Sequence, residues 1–256
     1  MLVDSHCHLD FPEIADQLDA VLQLMRENQV ERALCVSVTL EDFPRVRRLA
    51  ETYPHIHGSV GVHPDYEKVD AVSVEELMAL ADSPRIVAIG ETGLDYFRLT
   101  GDLEWQRERF RTHIRAAREC GKPLIIHTRA AAADTLRIMR EEGADKAGGV
   151  MHCFTESAEV AKAAMDLGFY ISFSGIVTFK NARDIKAVAT AVPLENMLVE
   201  TDSPYLAPVP YRGRTNQPGY VKHVAEEIGR LKGVPFDQVC SITTKNFFNL
   251  FNSIKG

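Results

Sequence analysis

Two stretches, Ile86-Val87-Ala88-Ile89 and Pro123-Leu124-Ile125-Ile126, carry no polar side chain at any position. Strands of a parallel sheet that is covered by helices are buried on both faces, so they read as continuous apolar runs of this kind. Other segments have apolar residues three to four positions apart, as at Val160, Ala164 and Leu167, and this spacing predicts amphipathic helices. The two patterns alternate along the chain, which indicates strands joined by crossover helices.

Eight β-rich runs of this type recur in the 256 residues. They are residues 2–5, 33–38, 58–62, 86–90, 123–126, 148–151, 170–174 and 197–200. Eight such units in a chain of this length predict an α/β fold of the (β/α)8 TIM barrel type. The alternative is an open doubly wound sheet, but its nucleotide sites usually follow a glycine-rich turn after the first strand, and residues 2–5 are not followed by one. We expect a single domain over residues 1–256, with an extra amphipathic C-terminal helix at 235–251 packed on the barrel.

The composition limits the classes of function. Apolar runs nowhere approach the roughly 18 to 20 residues of a membrane span, and no basic segment followed by an apolar stretch begins the chain. We therefore expect a cytoplasmic protein with no membrane partner. Five scattered cysteines without zinc-finger spacing predict free thiols. The formal net charge of -7 argues against coating of nucleic acid through a broad basic surface, but it is compatible with an enzyme whose metal ions hold a phosphodiester.

Candidate metal ligands stand where the predicted strands end. His6 and His8 are two residues apart in the first strand, so their side chains point the same way. Side chains at the carboxyl ends of barrel strands converge on one mouth, however far apart they lie in sequence. The other polar residues at such ends are His63, Glu91, His127, His152 and Asp202. Imidazoles and two carboxylates can coordinate two divalent ions, roughly 3.5 to 4 Å apart, and would suit magnesium, manganese, zinc or nickel.

Another histidine pair serves as an internal control. His55 and His57 have the same spacing as the first pair but precede the apolar part of the third strand. They should therefore lie at the opposite, amino-terminal face of the barrel, where we expect structural or exposed side chains. His113 and His223 fall in helical segments and receive the same structural interpretation.

Six short motifs resemble those of the TatD family of metal-dependent deoxyribonucleases, within the amidohydrolase-like barrels. The matching segments are residues 4–10 (DSHCHLD), 61–64 (GVHP), 90–95 (GETGLD), 123–129 (PLIIHTR), 152–155 (HCFT) and 200–205 (ETDSPY). The resemblance extends over essentially the whole chain, and the order of the motifs is most similar to the YcfH-like branch. It implies a barrel hydrolase whose substrate is DNA, attacked from the 3′ end of single strands, with no obligate protein partner.

The resemblance also implies how two ions would be held. The ligands of the first ion would be His6, His8, Glu91 and Asp202, and those of the second would be Glu91, His127 and His152. Glu91 would bridge the two ions. Many related barrels bridge with a carbamylated lysine on the fourth strand, and the glutamate makes that modification unnecessary here.

A mechanism follows as a hypothesis. The metal pair would lower the pKa of a bound water from about 15.7 toward 7. Asp202 is the candidate general base, Glu91 is the bridging member of the catalytic set, and His63 would bind or protonate the substrate. Arg129 would pair with a phosphate, unless it forms a salt bridge that holds the loop after the fifth strand.

The loop at 208–218 follows the last strand, in the region where many barrels bind phosphate. It carries Arg212 and Arg214, which would guide a nucleic acid backbone. A solvated loop is the alternative interpretation.

Two further classes of function remain open on the sequence. The same metals would also serve a hydrolase of a small-molecule amide, lactone or phosphoester, because the ligands activate water without choosing its target. The other class is a non-catalytic metal-binding or partner-binding barrel. A complete ligand set that includes Asp202 argues against that class, since a structural barrel has no evident need for it.

Overall fold

The computed structural model describes residues 1–69 and 71–254. Its eight described strands form one parallel sheet in chain order, β1 to β8. They are β1 (Leu2–Cys7), β2 (Val30–Cys35), β3 (Ile56–Val60), β4 (Ile86–Asp95), β5 (Leu124–Arg129), β6 (Gly149–Met151), β7 (Phe169–Phe173) and β8 (Met197–Val199). A parallel bridge between Cys7 and Ser203 joins the end of β1 to the segment after β8. The predicted (β/α)8 TIM barrel is therefore confirmed.

Helices separate the strands and cover the outside of the sheet. Those of the described residues are α1 (Pro12–Ala15), α2 (Leu18–Glu27), α3 (Phe43–Thr52), α4 (Val74–Ala81), α5 (Glu104–Cys120), α6 (Ala132–Glu141), α7 (Ala158–Met165), α8 (Arg183–Ala191), α9 (Val221–Lys232) and α10 (Phe236–Leu250). Their apolar faces pack on the outward-facing strand residues in one large buried cluster. None of these helices is both long and apolar enough to span a bilayer.

The inside of the barrel forms a second buried cluster, which the C-terminal helix closes. Val3, Leu34 and Leu198 from the strands pack with Phe247 of α10 and with Phe251 just after it. Hydrogen bonds fix α10 at the amino-terminal ends of two strands: the Thr244 hydroxyl donates to the Met1 carbonyl, and the Asn246 amide donates to the Met197 carbonyl. The predicted extra helix thus covers the amino-terminal end, which leaves the carboxyl ends as the mouth.

Strands β4 and β5 extend beyond their predicted ends, because polar residues there continue the backbone pairing. β4 and β5 run on through Gly93 paired with His127 and Asp95 paired with Arg129. Glu91 and His127 therefore lie within strands rather than at their ends. Backbone pairing continues there because every second side chain still faces the interior, where the mouth accepts polar groups.

Two of the four histidines expected to be structural or exposed away from the mouth, His57 and His113, are buried, whereas His55 and His223 are partly exposed. His57 is the second residue of β3 rather than a residue before it, and burial with neighbouring Arg85 lowers its pKa to about 4. His113 lies in α5, where its Nε2 accepts the Val62 N–H at 3.0 Å and its Nδ1 lies 2.8 Å from the Arg109 carbonyl. Burial lowers the pKa of His113 to about 4, so this ring is neutral at pH 7.

Candidate metal centre

Glu91 is the centre of the cluster in the mouth. It lies on β4, it is 2% exposed, and histidines surround both of its carboxylate oxygens. Burial opposes ionisation of Glu91, but nearby His152 and His63 hold its pKa well below the usual range. The glutamate is therefore a carboxylate anion inside a ring of imidazoles.

The two oxygens of Glu91 face different histidines. Oε2 lies 3.3 Å from His6 Nε2 and 4.0 Å from His8 Nε2. Oε1 lies 3.2 Å from His127 Nδ1 and 2.8 Å from His152 Nε2. The cluster thus has two sides that share one carboxylate.

Asp202 completes the side that contains the first-strand histidines. Its Oδ1 lies 3.7 Å from His6 Nε2 and 3.4 Å from His8 Nε2. Burial opposes ionisation of Asp202, but the hydrogen bond with His8 and the charge of His6 lower its pKa. Burial likewise opposes protonation of His8, yet Asp202 and Glu91 raise the pKa of His8 to about 9.

Several buried nitrogens in the cluster lack a hydrogen-bond partner among the described residues. They are both ring nitrogens of His6 and Nε2 of His152. His152 Nε2 is close to Glu91 Oε1, but the angles are not those of a hydrogen bond. Candidate ligand atoms lie within 4.8 Å of one another in three groups: His6–His8–Glu91, His6–His152–Asp202 and His63–Glu91–His127. Convergent, unpaired imidazole and carboxylate atoms fit a divalent cation, because each keeps a lone pair for it.

Three of the histidines are oriented by groups on their far side. His8 Nδ1 lies 2.9 Å from the Val36 carbonyl. His127 Nε2 lies 3.0 Å from Asp95 Oδ2, and His152 Nδ1 lies 3.2 Å from Glu200 Oε1. Each acceptor receives a hydrogen bond from the protonated ring nitrogen on its own side. The other nitrogen is then unprotonated and faces Glu91, as in protein metal sites.

His63 has the opposite arrangement. Its Nδ1 accepts the backbone N–H of Asp65 at 3.1 Å, so the neutral ring carries its proton on Nε2. That nitrogen lies 3.3 Å from Glu91 Oε1. Its side chain is 14% exposed, against 3% for His152. His63 therefore presents an N–H donor toward the mouth rather than a lone pair.

The segment after β8 is held by the first strand. The buried Asp4 carboxylate accepts the Thr201 N–H at 2.8 Å and the Thr201 hydroxyl at 2.5 Å. The Asp202 N–H donates to the His6 carbonyl at 2.9 Å. Asp202 has a φ of 56°, a conformation that is uncommon for a residue with a side chain and is often found at functional sites. These contacts place the Asp202 carboxylate beside the two first-strand histidines.

The structure separates the three predicted arginines. Arg129 ends β5, and its guanidinium carbon lies 3.9 Å from the centre of the Phe97 ring. No ion pair joins Arg129 to another described residue, so the alternative salt bridge is not formed there. Arg212 instead lies over Phe179 at 3.6 Å and donates to the Ala207 carbonyl. Arg214 is exposed in the same loop.

The roles of three carboxylates in the site are not predictable from the residue pattern. Asp95 and Glu200 accept hydrogen bonds from ring nitrogens of His127 and His152. Asp4 accepts the backbone N–H of Thr201, the residue before Asp202. Asp95 lies four residues after Glu91 on β4, and Glu200 two residues before Asp202. The signal that could identify them is the need of a metal-binding histidine for an acceptor at its second nitrogen.

A family model described as TatD related DNase matches residues 3–252. The chain belongs to the TatD family. Among TatD-family relatives, the metal-dependent hydrolase YcfH of Escherichia coli strain K12 is 48% identical over 98% of this chain and 96% of its own length. The metal-dependent hydrolase YabD of Bacillus subtilis strain 168 is 42% identical over 98% of this chain and 99% of its own length. Neither of these names specifies a substrate.

Solved structures of the TatD family agree with the fold. The crystal structure of YjjV, a TatD homologue from Escherichia coli K12, matches with a TM-score of 0.91 at 31% identity, over 98% of both chains. An organophosphorus hydrolase from Deinococcus radiodurans matches with a TM-score of 0.67 at 15% identity, over 98% of this chain and 92% of the other, which is a likeness of fold alone. Family membership and the Glu91-centred cluster together identify the chain as a TatD-family metal-dependent hydrolase.

Proposed function

We propose that this TatD-family hydrolase cleaves phosphodiester bonds of DNA and removes nucleotides from the 3′ end of single strands. The observation that carries the proposal is the division of the cluster by the two oxygens of Glu91. Two-metal sites of this kind are common in enzymes that cleave phosphodiesters, because the ions clamp both the attacking and the leaving oxygen. The family model, described as TatD related DNase, supports DNA as the target.

The proposed ligands are the residues on the two sides of Glu91. His6, His8 and Asp202 would join Glu91 Oε2 around one divalent ion. His127 and His152 would join Glu91 Oε1 around the other. His63 is not included, since its proton is on the nitrogen that faces the site. When bound, the ions would supply Lewis acidity and a water of lowered pKa.

The protein's own groups then have separate tasks. Asp202 is ionised, and its contacts with the histidines use Oδ1, so Oδ2 is available to accept the proton of the attacking water. His63 would donate a hydrogen bond from Nε2 to a phosphate oxygen of the substrate. Arg129 would pair with a phosphate at the mouth, held in place by the ring of Phe97. Arg212 and Arg214 would attract the more distant backbone.

The test is nucleotide release from a single-stranded DNA oligonucleotide labelled at its 3′ terminus, with added magnesium or manganese. Asp202→Asn and a chelator should each abolish release, because they remove the base or the ions. Asp166→Asn is the matched control, since Asp166 is an exposed aspartate paired with Lys162 on α7, away from the mouth. A 5′-labelled strand should shorten one nucleotide at a time, which reports the polarity.

Two results would overturn the proposal. Equal release by wild type and Asp202→Asn would place the activity outside this site. Faster turnover of small esters, lactones or phosphoesters than of any oligonucleotide would assign the same centre to a small-molecule substrate.

A further inference from the structure

Exposed aromatic rings are concentrated around the mouth. Among the residues that the structure describes, the exposed large hydrophobic side chains are Met1, Tyr66, Phe97, Tyr205 and Val209. Tyr66, Phe97 and Tyr205 are 39%, 65% and 53% exposed. All three follow strands β3, β4 and β8 at their carboxyl ends, the end that holds the metal centre.

A repeated turn places these rings. The Tyr66 N–H donates to the carbonyl of His63, three residues earlier, and the Tyr205 N–H donates to the carbonyl of Asp202, also three residues earlier. The Phe11 N–H makes the same contact with His8. Three residues of the site are thus each followed by a tight turn that ends in an aromatic ring.

Contacts between the rings and the site show how close they are. The Phe11 ring stacks on His8 with centroids 4.7 Å apart, and Tyr205 meets Phe11 edge to face at 6.2 Å. The Tyr66 ring lies 6.3 Å from that of His63. On the other side of the mouth, Phe97 donates its N–H to Asp95 and packs under Arg129. Rings therefore surround the centre from four loops.

Exposure of these rings has no structural explanation within the fold. The other aromatic side chains of the described residues are partly or fully buried: Tyr211 stacks on Tyr220 at 4.0 Å, and Phe247 and Phe251 fill the barrel. Exposed apolar rings that border a polar site are typical of surfaces that bind a partner. A partner with flat faces beside a group that the metals bind would fit this surface.

We propose that Phe11, Tyr66, Phe97 and Tyr205 form a stacking rim that holds unpaired nucleobases on both sides of the phosphodiester at the metal centre. This rests on the proposed DNase function and names how the strand is recognised. Bases stack on aromatic side chains with little regard to sequence, since every base has a π face. In a duplex both faces of each base are already stacked, so the rim selects single-stranded ends.

Arg129 links the rim to the phosphate. Its guanidinium packs against Phe97 at 3.9 Å, which restricts the side chain before any ligand arrives. A strand with its base on Phe97 would bring the adjacent phosphate to the same arginine. A peptide or a small ester has no regular alternation of flat rings and anions, and therefore fits the rim less well.

The test replaces Tyr205, the exposed ring three residues after Asp202, and separately removes the two 3′-terminal bases of the strand. Tyr205→Phe retains a ring, Tyr205→Leu retains apolar area without a ring, and Tyr205→Ala retains neither. Val209→Ala is the control, because Val209 is an exposed apolar residue of the same loop that lies outside the rim. Each variant is assayed on a single-stranded oligonucleotide and on the same strand with abasic residues at its two 3′-terminal positions.

Loss of one stacked base should lower kcat/KM about tenfold, mostly through KM. We expect this loss for Tyr205→Ala and Tyr205→Leu on the normal strand, and near wild-type values for Tyr205→Phe and Val209→Ala. On the abasic strand, Tyr205→Ala and wild type should have the same kcat/KM. Additive losses, or equal losses in Phe and Ala variants, would overturn the rim.

Binding to Asp202→Asn separates this proposal from the DNase function. Fluorescence anisotropy with the same two strands measures base-dependent binding without cleavage. If wild type releases no nucleotide but binding still depends on the bases and on Tyr205, the stacking rim is supported and the DNase function is refuted. If binding is the same for normal and abasic strands, the rim is refuted whatever the activity.

Discussion

The substitution Asp95→Asn should block one side of the metal centre by changing a tautomer. Asp95 Oδ1 accepts two backbone N–H groups, from Phe97 at 2.9 Å and Arg98 at 3.0 Å, while Oδ2 faces His127 Nε2 at 3.0 Å. An asparagine must keep its oxygen toward the two backbone donors. Its NH₂ group then faces His127 Nε2, so the ring proton moves to Nδ1, the nitrogen that faces Glu91.

A metal can bind His127 in this variant only if the ring keeps its proton on Nε2, against the NH₂ group. The cost is one charge-assisted hydrogen bond and one unsatisfied buried donor, together about 2 to 3 kcal/mol. This corresponds to roughly 100-fold weaker binding of one ion, at the upper end of the range for groups behind a metal ligand. Loss of activity should follow the loss of that ion.

Glu200→Gln is the matched comparison, because it also neutralises a carboxylate behind a ligand. Glu200 Oε1 accepts both His152 Nδ1 at 3.2 Å and the Cys153 N–H at 2.7 Å, while Oε2 has no hydrogen-bond partner. Glutamine can therefore keep its oxygen in place and put its NH₂ group where Oε2 was. The tautomer of His152 is retained, and we expect a loss of about tenfold or less.

Isothermal titration calorimetry with manganese measures both variants. Wild type should bind two ions, Asp95→Asn should bind one of them at least tenfold more weakly than Glu200→Gln does, and circular dichroism should show both folded. Equal affinities in the two variants, or a larger loss in Glu200→Gln, would refute the tautomer argument.

Four other measurements follow from the site. Metal affinity should rise from pH 6 to 9, because Asp202 raises the pKa of His8 to about 9 and each ion must displace protons; calorimetry in buffers of different ionisation enthalpy counts the protons released. His63→Ala should lower kcat about 100-fold with unchanged metal stoichiometry, because the ring is a donor. Since burial lowers the folded-state pKa of His113 to about 4, the unfolded chain binds more protons below about pH 6.5, and stability falls from there to pH 4; relative to His113→Gln the fall should be about 3 kcal/mol in urea unfolding. Arg129→Gln should reduce the salt slope of oligonucleotide binding by about one.

Much of this architecture is predictable from apolar runs and polar residues at strand ends. Ile86–Ile89 and 123–126 required a covered parallel sheet, and the convergence of barrel strands then brought Glu91 and His127 together. The end of β4 was not predictable, because Gly90 to Asp95 contains two glycines and polar residues that normally end a strand. Only an interior that accepts polar groups keeps that segment paired.

The roles of individual histidines depend on contacts that residue patterns do not contain. His127 and His63 both lie within 3.3 Å of Glu91 Oε1. Asp95 accepts a hydrogen bond from Nε2 of His127, which leaves Nδ1 of that ring unprotonated. In His63 the backbone N–H of Asp65 donates to Nδ1, so the neutral ring carries its proton on Nε2. In the proposed function, His127 would therefore offer a lone pair to a cation, and His63 would offer a hydrogen bond to the substrate.

The same turn connects that difference to the stacking rim. Pro64 and Asp65 bring the Tyr66 N–H back to the His63 carbonyl, and the Asp65 N–H to Nδ1 of the same histidine. The tightness of this turn thus sets both which nitrogen of the neutral His63 ring carries the proton and the position of the Tyr66 ring. A lengthened loop at 64–66 would release both together, so that the His63 hydrogen bond and base stacking would be lost in one step. The candidate ligands on or directly after β1, β4, β5 and β6 would keep their places. In the proposed function, residues 64–66 would therefore couple contact with the phosphate to recognition of the base.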